Sequence, residues 1–463
     1  MYEQRIEHSP RPTNPSEDPT ATARVDPFFI STWKKNRAIY ILLISLSLLN
    51  LYFFRMKGQV NLPITLFYFS LLVLSPVLLL RIYSKTGIRY LYPFLLTMMI
   101  AVNYFASLGM VRSTTIIYSL MFIFYFFIAL NMLRFMTPRD FNIISRVVIY
   151  LYLVNVIVTL IHLYLGVNLD LFGILDGYNV DPRYDKIRLR GFASEPSYAA
   201  IVIAVTYVLY NRMTLMLDQK RSVHLMLASI FMIFVFQSVY GYLLLSLFIV
   251  EEVYTARKRS RQKYKGSTTY IIGLIVILVL SAPIIMLLLQ RTMAGARLFE
   301  FFYSLWSEGM HGLFEFEKGT WIRLEIALDI FSITEERSIW QIIFGSGAGY
   351  ASSMFGEEYG KVVGTWQAGF HYINIGGWGF AYDYGLIGVG ALLYVVYHVV
   401  IKGAMSWLIL FITWTNSGFN TMLFWYVFTC LMVISFFERI KENMEKAARA
   451  NKRTSMPAKH PSS

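Results

Sequence analysis

The chain has 463 residues, of which 56% are hydrophobic, 17% aromatic and only 15% charged. A typical soluble domain has about 25% charged residues, so this composition excludes a soluble enzyme and a disordered chain. The net charge of +14 comes from Lys and Arg in short blocks between apolar runs. That pattern favours orientation in a bilayer over nucleic-acid binding and predicts an all-α, polytopic membrane protein.

The predicted spans follow an N-terminal segment, residues 1–37, that contains five of the 14 prolines and no apolar core. We interpret this segment as a disordered cytoplasmic tail without a cleavable signal. Eight apolar segments are long enough to cross a bilayer. They are Ala38–Phe54, Leu62–Leu80, Tyr90–Val111, Ser113–Leu133, Val147–Gly166, Ala193–Asn211, Thr268–Gln290 and Trp378–Ile401.

Two further apolar segments, Ser222–Val250 and Gly403–Phe437, are long for one helix and short for two. A single span over the first would place the six basic residues of Tyr254–Lys265 outside, so we split it near Gln237–Gly241. Splitting the second near Asn416–Gly418 gives about twelve spans. The predicted transmembrane domain is then 38–437, and both termini, including the basic tail 438–463, are cytoplasmic.

The basic residues left outside are concentrated in two loops, Val167–Phe192 and the 87-residue loop Arg291–Gly377 between spans 9 and 10. A connection of usual length has ~4–6 residues, so the longer loop is predicted to contain structure. Ala296–Phe316 and Thr320–Ile333 mix apolar and charged residues at near-helical spacing. This spacing predicts helices that lie on the outer leaflet or cap a cavity.

Charged residues inside spans are costly and therefore indicate function, and only two carboxylates, Glu195 and Asp383, fall inside the predicted spans. Each lies near the outer end of a helix that follows one of the two long outer loops. Pro196 suits the first turn of the helix at Glu195, and Arg188 and Arg190 precede it, so this N-terminus is suited to binding phosphate or pyrophosphate. A structural role fits the local sequence equally well, with Glu195 capping the helix and pairing with Arg190.

Three other features of the outer segments are weaker indications of function. Arg323 is suited either to supply a second guanidinium to the same anion or to lie on the surface facing the lipid headgroups. His371 suits proton transfer, although a lone histidine is more often packed or solvated. The run GSGAG at 345–349 lacks the Lys-Ser/Thr of a phosphate loop and is predicted to be a flexible turn. No group of side chains has metal-ligand spacing, so no metal and no cofactor is predicted.

Three motifs in the same order resemble the O-antigen polymerase and ligase superfamily. RGFASEPS at 190–197 resembles the Arg-x-Gly-Phe-x-Glu-Pro-Ser stretch of Wzy-type repeat-unit polymerases. Arg323 with FGSGAG at 344–349 resembles the Arg…Gly-x-Gly pattern of the family's large outer loop, and DYGLIG at 383–388 resembles its Glu-x-Gly-Ile-Ile-Gly helix. Many relatives, especially ligases, carry histidine where this chain has Asn374, and this departure favours a polymerase.

The resemblance implies a GT-C-like, metal-independent glycosyltransferase that polymerises undecaprenyl-diphosphate-linked oligosaccharides at the outer face of the bacterial cytoplasmic membrane. The residues that it implies for diphosphate binding are Arg188, Arg190 and Arg323. The candidate bases are Glu195, which we rank first, and Asp383 or His371. The implied partners are the lipid-linked oligosaccharide and membrane lipids, with a chain-length regulator and a flippase as further candidates and no nucleic acid. An O-antigen-type ligase and a lipid-linked oligosaccharide flippase are the alternatives.

Overall fold

The computed structural model of the chain describes ten continuous stretches and a few isolated positions. The stretches are 91–107, 113–133, 136–167, 178–181, 186–193, 195–220, 222–236, 338–351, 377–419 and 421–454; the isolated positions are Arg37, Ile41 and single residues within 238–251 and 303–307. The predicted N-terminal tail apart from Arg37, and the predicted span Ala38–Phe54 apart from Ile41, lie outside the described residues. The predicted spans Leu62–Leu80 and Thr268–Gln290 and most of the 291–377 loop also lie outside them.

The described chain is helical apart from one small β-hairpin and the connections. The helices are α1 (Leu91–Ala106), α2 (Ser113–Met132), α3 (Pro138–Leu165), α4 (Pro196–Met216), α5 (Val223–Val235), α6 (Ile339–Phe344), α7 (Trp378–Val395, followed by a π-helical turn Val396–Val400), α8 (Ala404–Asn416) and α9 (Met422–Thr454). The strands β1 (Tyr178–Asp181) and β2 (Lys186–Leu189) pair antiparallel, with Tyr178 opposite Leu189. The hairpin lies in the segment 167–192, the first of the two predicted outer loops, where the sequence analysis did not predict it.

Four of the described helices are long and apolar enough to cross a membrane. They are α3, α4, α7 with its π-helical turn, and α9 as far as Ala448. Three shorter apolar helical stretches are α1, residues 115–127 of α2, and α5. The prediction of a helical membrane protein is therefore confirmed, whereas the number of twelve spans and the orientation stay predictions.

Contacts between helix ends show that the described helices alternate in direction. Asn142, near the start of α3, donates a hydrogen bond of 2.7 Å to Thr214 near the end of α4. The start of α1 contacts the end of α7 through Tyr92 and His398, whereas Asn103 near the end of α1 bonds to the backbone of Asp383 near the start of α7. We call the end that carries Arg139, Arg212 and Arg439 the basic end, and the opposite end, which carries the β-hairpin, the hairpin end.

The same contacts bear on the split of Ser222–Val250. Ser222 donates its backbone N–H to Tyr210 at the basic end, and Glu251 reaches the same end of α4 by pairing with Arg212. Between these points, Gly241 packs against Ala200, nearer the hairpin end. The segment therefore leaves the basic end and returns to it, which supports a turn near 237–241.

Two other helix boundaries are informative. The chain leaves helical structure at Ser417 and resumes it at Met422, a break that includes the predicted split at 416–418. Helix α3 begins at Pro138, nine residues before the predicted Val147. The earlier start has a local cause, because Thr137 and Asp140 form a capping box and Pro138 occupies the first turn.

An aromatic core holds α2 and α9 together. Trp425 is fully buried, its ring lies 6.2 Å from Phe122 and 5.9 Å from Phe126, and its indole N–H donates to the carbonyl of Phe419. A buried Trp with its N–H satisfied contributes apolar area without a polar penalty. This packing fixes the hairpin-end loop 417–421 beside the start of α7, where Phe380 contacts Phe419.

Candidate functional site

The turn that joins β2 to α4 carries the first group of predicted site residues. Ala193 donates its backbone N–H to the carbonyl of Arg190, which closes a tight turn, and Gly191 has a left-handed φ of 58°. A Cβ at Gly191 would lie 2.9 Å from Cδ1 of Tyr152 on α3, so both the conformation and the close approach require glycine. The turn that follows the hairpin therefore packs against α3.

Glu195 occupies the N-cap position of α4, with φ −138° and ψ 151°, and Pro196 lies in the first turn as predicted. Its side chain makes no capping hydrogen bond and is exposed. The bond that the structure gives its carboxylate is a long one of 3.4 Å donated by the hydroxyl of Ser197. The interpretation of Glu195 as a helix cap is therefore wrong for its side chain, and the carboxylate remains accessible at the helix N-terminus.

The arginines of the predicted anion site are described to different extents. Arg190 is half-buried in the turn, and the Cα of Arg188 lies opposite that of Asn179 in the hairpin. Positions 188 and 190 are two residues apart, the spacing at which residues lie on one face of an extended chain. The predicted site residues Arg323 and His371 lie outside the described residues, so their proximity to Arg190 stays a prediction.

Asp383, the second predicted carboxylate, is buried beneath the GSGAG loop. One carboxyl oxygen accepts the backbone N–H of Gly349 and the other that of Ala351, each at 2.9 Å. A side chain held in this way fixes the loop, which is therefore not the flexible turn that the sequence predicted. Each oxygen accepts a backbone N–H of the loop, so the geometry gives Asp383 a positioning role for residues 349–351.

The loop and α7 are joined by their backbones as well. Helix α7 is broken at Gly385, where φ is 63° and ψ −171°, and the break leaves carbonyls without helical partners. Ser346 donates its N–H to the carbonyl of Tyr382 at 2.9 Å, and Gly347 donates to that of Asp383 at 3.1 Å. The side-chain amide of Asn103 on α1 also donates to the carbonyl of Asp383, at 2.6 Å. Non-helical backbone within a span is tolerated where such partners satisfy it.

Glycine is essential to this arrangement because the two backbones are in contact. Gly345, Gly347 and Gly349 all have positive φ values, of 90°, 113° and 85°. A Cβ on Gly345 would overlap the backbone of Asp383, and one on Gly385 would overlap the backbone of Gly345. The alternating glycines were visible in the sequence, but the group that they enclose is a carboxyl of the chain itself. We name residues 345–351 with Asp383 the Asp383 clasp.

A buried charge cluster at the basic end was missed by the sequence analysis. Arg212 on α4 makes two contacts of 2.6 Å to the carboxylate of Glu251 and one of 3.0 Å to Glu438 on α9. The Arg212 side chain is only 8% exposed and that of Glu251 is 0% exposed. Glu251 and Glu438 are therefore buried carboxylates that lie outside the predicted spans. They were missed because each of the three residues lies just beyond a predicted span end.

Asn155 on α3 is a second feature that the sequence analysis missed. Asn155 is 1% exposed, and among the residues that the structure describes neither its amide nitrogen nor its amide oxygen has a hydrogen-bond partner. It lies one helical turn from Tyr152, which packs against Gly191 and Phe192 of the β2–α4 turn. A buried unsatisfied amide is costly, so a ligand group or water is expected to complete it.

Several other observations bear on chemistry. Among the described residues no three His, Cys, Asp or Glu side chains are grouped so as to hold a metal ion.

In the segment Ala296–Phe316, the described positions Tyr303, Trp306 and Ser307 are helical, and Trp306 is 91% exposed. An exposed Trp on a helix is typical of a surface that meets the bilayer interface.

The fold and the site define a helical integral membrane protein with a polar turn and a clasped loop at one end. The chain matches no family model, no curated protein and no solved structure. The argument for its activity therefore depends on its own residues and on the resemblance of its three motifs.

Proposed function

We propose that the protein is a glycosyltransferase that polymerises undecaprenyl-diphosphate-linked oligosaccharide repeat units at the outer face of the bacterial cytoplasmic membrane. One observation carries the proposal: the carboxylate of Glu195 is exposed and makes no capping hydrogen bond at the N-terminus of α4. This N-terminus follows directly after the hairpin and turn that contain Arg188 and Arg190. A helix N-terminus and adjacent guanidinium groups attract an anion such as a diphosphate. The three ordered motifs supply the choice of substrate class.

The proposed reaction forms one bond at the anomeric carbon, breaks one bond at the same carbon, and transfers one proton. The hydroxyl oxygen of the acceptor sugar attacks the anomeric carbon of the donor, and the bond from that carbon to the diphosphate oxygen breaks with its electron pair. Glu195 takes the hydroxyl proton, while Arg188, Arg190 and Arg323 stabilise the charge that develops on the leaving diphosphate. The membrane holds both lipid-linked substrates in one leaflet, which favours their encounter.

The remaining predicted site residues have separate roles in the proposal. Asp383 is assigned to positioning the GSGAG loop, because its two carboxyl oxygens accept backbone N–H groups of that loop. His371 stays a prediction as an alternative base. Asn155 is added as a substrate-positioning residue because its amide is buried without partners one turn from Tyr152, which contacts the β2–α4 turn.

The test is an assay of the purified chain with a synthetic lipid-diphosphate repeat unit, read as a ladder of oligomers without added metal. We expect Arg190→Ala or Arg323→Ala to abolish the ladder and Glu195→Gln to slow it by about a hundredfold or more, as removal of a general base does. The controls are Arg139→Ala and Glu445→Gln, which remove the same charges from exposed positions toward the basic end.

The same variants separate the alternatives. In cells, a polymerase defect should leave single repeats on the outer leaflet, whereas accumulation on the inner leaflet would indicate a flippase. Transfer of the glycan to a lipid-core or protein acceptor in place of a second repeat would indicate a ligase. A wild-type ladder from Glu195→Gln would exclude Glu195 as the base.

A further inference from the structure

A groove at the basic end lies between the end of α7 and the middle of α9. Its lining residues are Tyr397, His398, Ile401, Lys402, Gly403 and Arg439, and it has a volume of about 570 Å³. We call it the α7–α9 groove. Small-ligand pockets typically have about 300–1,000 Å³, so the groove is large enough for a compact polar group.

Positive charge dominates the groove. Among the described residues at its lining and rim, Lys402 and Arg439 are permanent cations, His398 adds an imidazole, and Glu442 is the one carboxylate bonded to them. Lys402 pairs with Glu442 at 2.5 Å, but the Glu442 side chain is 51% exposed. An ion pair with so much solvent access contributes little, so an incoming anion can compete for the Lys402 ammonium.

The π-helical turn shapes the groove and fixes its arginine. Ile401 donates its N–H to the carbonyl of Val396, a wide turn that leaves neighbouring carbonyls available. Arg439 donates to the carbonyls of His398 and Ile401 and thereby holds α9 to the end of α7. An arginine has more N–H donors than these two bonds use, so its guanidinium retains donors for an anion.

The surroundings of the groove are apolar and face away from the bundle. Leu393, Tyr394 and Tyr397 on α7 are exposed, and Trp407 and Phe411 on α8 are exposed beyond the Lys402–Gly403 connection. Aromatic side chains of this kind are enriched at the level of lipid headgroups, and exposed apolar residues on a spanning helix contact acyl chains. A ligand of the groove is therefore expected to have a charged head and an apolar tail.

We propose that the α7–α9 groove binds the phosphate headgroup of an anionic phospholipid in the leaflet at the basic end. The Lys402 ammonium and the free donors of Arg439 contact the phosphate, and the acyl chains lie along the exposed faces of α7 and α8. Basic pockets between transmembrane helices on the positively charged side of a membrane protein suit such headgroups. This proposal does not depend on the glycosyltransferase activity, which is assigned to the opposite end of the bundle.

The test uses the purified full-length chain in detergent, with native mass spectrometry to count bound lipids. The probes are phosphatidylglycerol and phosphatidylcholine with identical acyl chains. We expect tighter binding of phosphatidylglycerol, and about fivefold weaker binding of it in Lys402→Gln, the effect of one basic side chain at an anionic surface. Lys446→Gln removes the same charge from an exposed position farther along α9 and should leave binding unchanged.

Glu442→Gln distinguishes a lipid site from a structural ion pair. If the groove binds phosphate, loss of the competing Glu442 carboxylate should strengthen phosphatidylglycerol binding. If the Lys402–Glu442 pair only holds the groove in shape, Glu442→Gln should weaken phosphatidylglycerol binding as much as Lys402→Gln does. Equal binding of the two lipids, or equal losses in these two variants, would overturn the proposal. Displacement of the lipid by millimolar glycerol-1-phosphate would assign the groove to a soluble phosphate compound and overturn the choice of a lipid.

Discussion

Replacement of Asp383 by Asn tests whether the Asp383 clasp is structural or catalytic. Each carboxyl oxygen accepts one backbone N–H, from Gly349 and from Ala351. In the variant, one of these oxygens becomes an NH₂ group, so a donor faces a donor and one buried N–H loses its acceptor. An unsatisfied buried group costs about 1–3 kcal/mol. A middle value of about 2 kcal/mol increases the equilibrium constant for local opening of the loop about 30-fold.

The assay for this variant is hydrogen–deuterium exchange of the chain in lipid nanodiscs, followed in peptides that cover residues 341–351. We expect exchange of the loop amides to accelerate by about 30-fold in Asp383→Asn and to be unchanged in Glu445→Gln, an exposed acid on α9. Activity should fall together with loop protection. Lost activity with unchanged loop exchange would refute the clasp and restore Asp383 as a candidate base.

The other predictions concern packing and buried polar groups, and each is measured by thermal unfolding of the purified chain. Gly345→Ala should destabilise the protein, because the added Cβ would overlap the backbone of α7, whereas the Cβ of Gly390→Ala meets nothing within 4 Å and should be neutral or mildly stabilising. Equal effects of the two substitutions would exclude the close contact between Gly345 and α7. Arg212→Met leaves two carboxylates buried without their partner and should cost about 3–5 kcal/mol, so an unchanged melting temperature would mean that water reaches the cluster. Asn155→Leu should raise the melting temperature while lowering transferase activity, and a lower melting temperature would show that the amide is already satisfied within the protein.

Hydropathy and charge were sufficient to predict the helices because a spanning segment must be both apolar and long. The place of Pro196 in the first turn of α4 was predicted from the preference of proline for that position. The split near 237–241 was predicted from charge and, like the number of spans, stays a prediction. The start of α3 was not predicted, because a capping box at Thr137 extends the helix through polar residues that a hydropathy window excludes.

The candidate site was predicted unevenly, for a physical reason. Glu195 and Asp383 look alike in sequence, since each is a single carboxylate near the start of a span. Their surroundings differ because α7 is broken at Gly385 and the GSGAG loop lies against Asp383, a contact between positions 34 residues apart. No local pattern contains that information. The Arg212 cluster was also missed, because its three members come from three separate segments and each lies just beyond a predicted span end.

Helix α4 runs from one end of the molecule to the other. Its position among the other helices gives a physical reason for the buried ion cluster of Arg212, Glu251 and Glu438 at one of its ends. Within its spanning window, 94% of the residues are buried, compared with 33% in α3, so neighbours surround it and the lipid has little part in setting its depth. Its 21 residues correspond to about 32 Å at 1.5 Å per residue, close to the ~30 Å thickness of the hydrocarbon core. With Arg212 fixed between Glu251 and Glu438 at one end, α4 cannot slide along its axis without breaking buried ion pairs. The cluster thereby fixes the depth of Glu195 at the opposite end of the bundle. In the proposed reaction this depth matters, because the membrane would hold both lipid-linked substrates beside that end.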